Sequence, residues 1–157
     1  MAALGGTIIL CDHVYQANGG KYVIAGTYTT VEVRCPTLRR ASHAFNGLGL
    51  YTRLRPERLG ALACEAHVRD ESQPPWTAPL LRCNWEARVT EQNIRLLEFA
   101  LTAPGFVIQL GDEPGLDESP ELTLRYAVEL RVDGEVIAAT PLDLRFLRTP
   151  PLASPAG

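Results

Sequence analysis

Lysine is almost missing from this chain of 157 residues: of 15 basic side chains only Lys21 is lysine, and the other 14 are arginine. With abundant Leu, Ala, Gly and Pro, that bias is the codon signature of a GC-rich, most simply bacterial, genome. No run of 18 or more apolar residues occurs, so no membrane-spanning helix is expected. The opening MAALGGTIIL lacks a basic n-region and a small-x-small cleavage site, and Leu10 before Cys11 does not fit a lipoprotein signal. A cytoplasmic location follows as the expectation, with Cys11, Cys35, Cys64 and Cys83 as reduced core residues.

A basic surplus is also lacking. The net charge of -3 argues against a nucleic-acid binder, and the excess of acid lies in the last third of the chain. There is no G-x-S-x-G elbow, no P-loop and no dinucleotide fingerprint. At 46% apolar and 21% charged residues the chain can build a core without metal or disulfides. It reads as one domain over 1–148, with a flexible tail at 149–157.

What is present is period-two alternation. Leu122, Leu124, Tyr126, Val128, Leu130 and Val132 share one face, with Thr123, Arg125, Glu129 and Arg131 on the other. Asp133-Gly134 follows, the type I′ hairpin signal, because both turn positions require positive φ. The return strand runs to about Phe146, placing Ile137 opposite Leu130 and Ala139 opposite Val128. Its phase slips before Leu142, which calls for a bulge around Ala139–Pro141. Similar strands cover Leu48–Leu54, Leu62–Val68 with His67 outward, and Leu81–Val89.

Thr7–Tyr15 and Tyr22–Val33 are apolar on both sides and are expected in central positions, the second broken at Gly26. Ile94–Leu101 fits a strand better than a helix, and Leu38–Ala44 is the one segment that fits a short helical turn. The fold class is therefore all-β, an antiparallel β-sandwich of about eight to ten short strands with little helix.

The run Leu10-Cys11-Asp12-His13-Val14, then Gly19-Gly20-Lys21 and Ile24 with Gly26, resembles the opening of a family of small uncharacterised bacterial all-β proteins. The hairpin Val132-Asp133-Gly134-Glu135 with Ile137 is similar to that family's last hairpin. The resemblance covers about a third of the chain, at its two ends. It implies a small all-β domain of unknown function and carries no catalytic or ligand residues with it.

Chemistry is sparsely marked. Cys64 and His67 are three apart on a strand and so face opposite ways, which opposes a shared zinc. Cys11 and His13 share a face without two further ligands. Asp12 beside His13 is the one His–acid adjacency; an uncharacterised enzyme would use these two, although Asp12 alternatively anchors a backbone turn or an arginine on a core face. The acidic stretch Asp112–Glu121 is a solvated loop, or else a calcium site. The arginine-rich segment 34–58 carries Arg34, Arg39, Arg40, Arg53, Arg55 and Arg58 against Glu57. It is a solvated face by default, or else it pairs with the acidic loop, meets an anionic partner or links subunits head to tail.

In loop 70–79 prolines flank Trp76, which either folds back over an end of the sandwich, the default, or stands out as an interface anchor. The resulting expectation is a non-enzymatic binding or assembly module that contacts another protein, or itself, through Trp76, Arg39 and Arg40. No catalytic residue, metal or cofactor is expected, and a calcium- or anion-binding module is the alternative.

Overall fold

The computed structural model describes residues 3–149. Eleven strands alternate with turns: β1 (Ala3–Gln16), β2 (Tyr22–Thr27), β3 (Thr30–Cys35), β4 (Ser42–Phe45), β5 (Gly49–Pro56), β6 (Gly60–Asp70), β7 (Leu81–Val89), β8 (Leu97–Thr102), β9 (Phe106–Gln109), β10 (Glu121–Val132) and β11 (Glu135–Arg148). The one helical element among the described residues is a 3-10 turn, Pro114–Asp117. The fold is all-β: a four-stranded sheet ordered β2-β1-β5-β8 packs on a five-stranded sheet ordered β3-β11-β10-β6-β7, and β4 with β9 forms a small ribbon. All pairings are antiparallel except β3 with β11, which is parallel.

The alternation read from the sequence determines what is buried. On β10, Tyr126, Val128, Leu130 and Val132 point into the core and meet Leu62, Cys64, Ala66 and Val68 of β6 and Leu142, Leu144 and Phe146 of β11. Ile8, Leu10, Leu50 and Leu54 face them from the other sheet. Each fully buried leucine contributes about 1.5–3 kcal/mol of apolar transfer. At one side the edge strands of the two sheets meet through Trp85 and Phe99, whose ring centroids are 6.0 Å apart.

The Asp133-Gly134 turn adopts the expected left-handed backbone, φ 48° and 87°. The phase slip occurs nearer to that turn than expected. Leu130 pairs with Ala138 and Arg131 with Val136, so Ile137 is the extra, bulged residue, and Val128 opposes Thr140. The reading that set Ile137 opposite Leu130 and Ala139 opposite Val128, with a bulge at Ala139–Pro141, is corrected. One inserted residue beside the turn already restores Leu142, Leu144 and Phe146 to the core face.

Four other expectations change. Tyr22–Val33 supplies two edge strands rather than a central one, and its break falls at Tyr28–Thr29, where the chain crosses between the sheets. Leu38–Ala44 is not helical: Leu38 is fully buried and Ser42–Phe45 pairs with β9. Tyr51, on the outward face of β5, is nevertheless buried, because the β1–β2 hairpin curls over it and brings the Tyr22 ring to 5.6 Å. Its hydroxyl donates to Glu98, and burial, followed by that bond, pushes it up to about 12. His67, also on an outward face, is buried beneath charged neighbours. Thr149 is held by Cys35, its N–H reaching the Cys35 carbonyl at 2.8 Å; the rest of the expected tail, 150–157, lies outside the described residues.

Candidate functional site

The connection from β6 to β7 is braced from within. The Asp70 carboxylate accepts the Ser72 N–H at 2.8 Å and the Ser72 hydroxyl at 2.6 Å, an Asx-type turn. The Thr77 N–H donates to the Pro74 carbonyl at 2.9 Å, and the Arg69 guanidinium donates to the carbonyls of Pro74 and Pro75. Arg69 is itself anchored by Glu129, 3.7 Å away on β10. With φ fixed at Pro74 and Pro75, this frame displays Trp76 to solvent at 86% exposure. The indole does not fold back over the sandwich end, because the prolines and the Arg69 clamp hold the backbone beneath it away from the core. Leu80, at the end of the same loop, is also exposed, and β7 beyond it has no strand on its outer flank among the described residues.

Arg39 and Arg40 sit elsewhere and are engaged within the chain. Arg39 Nε lies 2.5 Å from Asp112 and its terminal nitrogen 3.2 Å from Asp117 of the 3-10 turn, while Arg40 also pairs with Asp112. The Arg40 N–H donates to the Gly111 carbonyl at 2.8 Å. The arginine-rich segment and the acidic loop therefore pair with each other, one of the arrangements the charge pattern allowed. Two of that loop's carboxylates are thereby already neutralised. Trp76 and this clasp lie on different loops.

Asp12 is exposed rather than set in the core, since the curl of β1 turns it outward over Gly26. His13, next along the strand, is exposed too and shares no hydrogen bond with it. Cys11, Cys35 and Cys64 are buried free thiols and Cys83 is half-buried. Burial pushes the Cys64 thiol up to about 11, with Asp133 adding to the effect. Cys64 faces the core while His67 faces outward, where its Nε2 donates to Glu65 at 2.6 Å. Among the described residues, no three His, Cys, Asp or Glu side chains are grouped to hold a metal ion.

The sequence did not mark Arg69, whose clamp stiffens the Trp76 loop, nor Tyr28, Phe45 and Asn46, which meet Asp12 around a groove. Gly26 and Gly47, both at positive φ on that groove, were the available signal. No helix in the described residues is long and apolar enough to cross a membrane. Comparison with protein-family models and with curated proteins finds no match.

Proposed function

We propose that this chain is a non-enzymatic protein-binding module of the bacterial cytoplasm, and that Trp76 on the β6–β7 loop is its anchor. The observation that carries this reading is the 86% exposure of a tryptophan on a loop whose own hydrogen bonds hold it out. An indole buries about 150–250 Å² when it seats in a partner, and a pre-ordered loop loses little entropy in binding. The adjoining open edge of β7 offers backbone groups for the same contact. The four free thiols fit a reducing compartment.

The test compares the wild-type chain with Trp76→Ala, each immobilised and exposed to lysate of the source cell, alongside sedimentation velocity of each alone. A protein retained by wild type and lost by the variant, or self-association lost by the variant, supports the reading. Identical retained sets together with identical sedimentation would sink it.

A further inference from the structure

Where the chain passes from β2 to β3, a groove of about 400 Å³ opens between the two sheets, within the size range of ligand sites. Its single charged lining group is Asp12, which has no ion-pair partner among the described residues. Tyr28 and Phe45 supply aromatic surface, and Thr27, Thr30 and Asn46 supply hydroxyl and amide groups. The walls are pre-formed. Phe45 is stacked on Phe106 at 5.0 Å, the Tyr28 N–H is tied to the Leu10 carbonyl at 3.2 Å, and Gly26 and Gly47 hold φ of 66° and 47°. Burial, followed by the Asp12 charge, raises the Tyr28 hydroxyl above its ordinary range.

We propose that this groove receives a guanidinium group of the kind an arginine side chain carries. The Asp12 charge repels phosphate and carboxylate ligands, and an apolar ligand would desolvate it without compensation. A divalent cation needs several oxygen ligands of which carboxylates form the core, and one carboxylate is too few. A guanidinium matches each remaining feature: it pairs with a carboxylate in two-point geometry, stacks on aromatic faces, and has five N–H donors for hydroxyl and amide acceptors. An ammonium has the charge without the planar face. The site is independent of Trp76.

The experiment titrates Nα-acetyl-arginine amide into the ¹⁵N-labelled full chain and follows the backbone amides of Gly26, Asn46 and Gly47. Nα-acetyl-citrulline amide, a neutral isostere, and Nα-acetyl-lysine amide are titrated in parallel. Saturable shifts at these three amides are expected, about tenfold weaker or more for citrulline, and weaker for lysine. Asp12→Asn, checked for an unchanged spectrum elsewhere, should bind the arginine probe as poorly as wild type binds citrulline. Absence of saturable shifts at these amides, or equal binding of citrulline, would overturn the proposal. Equal binding of lysine would overturn the guanidinium assignment. The probe comparison on the wild-type chain stands even if the Asp12 variant folds poorly.

Discussion

Replacing Gly26 with alanine tests the geometry of the groove without any ligand. Gly26 sits at φ 66°, which costs an ordinary L-residue about 1–2 kcal/mol. A Cβ there would also collide with the Asp12 carboxylate, lying 2.8 Å from its Cγ and 3.1 Å from its Cβ. Asp12 is exposed and can swing aside, at about 0.5–1.5 kcal/mol for leaving its rotamer. Gly26→Ala alone should therefore cost about 2–3 kcal/mol. In an Asp12→Ala background the carboxylate is gone, and only the backbone cost and the residual Cβ contact remain. The coupling between the two substitutions should be about 0.5–1.5 kcal/mol, a size that double-mutant cycles resolve for residues in contact. Urea unfolding of the four chains measures it: at about 2 kcal/mol per molar, the single variant's midpoint should fall by about 1 M or more. A coupling of zero, with Gly26→Ala equally costly in both backgrounds, would refute the placement of Asp12 over Gly26.

Two further outcomes concern pH. His67 is held below the usual histidine value by burial, opposed by its bond to Glu65 and reinforced by Arg82 and Arg131; Arg69 on its own strand and Glu129 on β10 are the other charges around it. Because the unfolded chain takes up this proton first, stability should fall as pH drops through about 6.5 and level off below the folded value. His67→Gln should lack that decline in a series of thermal melts. Asp133 is depressed by the Ala63 N–H at 2.9 Å and by Arg58 at 2.7 Å, so its contribution is complete above the unfolded carboxylate value of about 3.9 and is lost as pH falls through the folded one. Asp133→Asn, which keeps a residue tolerant of φ 48°, should cost about 1 kcal/mol or less at neutral pH, and Asp133→Ala about 1 kcal/mol more; denaturant midpoints at pH 7 and pH 3 check both.

Local rules were legible where one residue pair dictates the outcome. Asp133-Gly134 demanded its turn, and the alternation from Leu122 to Val132 assigned a buried face that the structure keeps. The bulge was legible only as a necessity, because Val136, Ile137 and Ala138 are all apolar and nothing local says which is the extra one. Tyr51 and His67 sit at positions where period two predicts exposure. Their burial depends on what lies over the sheet, a β1–β2 curl in one case and long charged side chains in the other. The site divides along the same line. Trp76 stood out because its loop is otherwise polar and proline-rich, whereas Asp12 was visible only as the acid beside His13. Its companions come from two other segments, Tyr28 from the crossover between β2 and β3 and Phe45 with Asn46 from the end of β4, which only the tertiary fold brings together.

The position of β11 has a consequence in time. The last of the described strands to be made, it lies inside its sheet, between β3 and β10, and its Asp143 pairs with Thr30, made 113 residues earlier. A nascent chain leaving the ribosome thus holds β3 without its partner until nearly all of the described fold has been synthesised. Pairing of that kind closes a long loop before any contact rewards it. β3 therefore spends most of synthesis with an open edge, and completion of its sheet waits for the fourteen-residue β11.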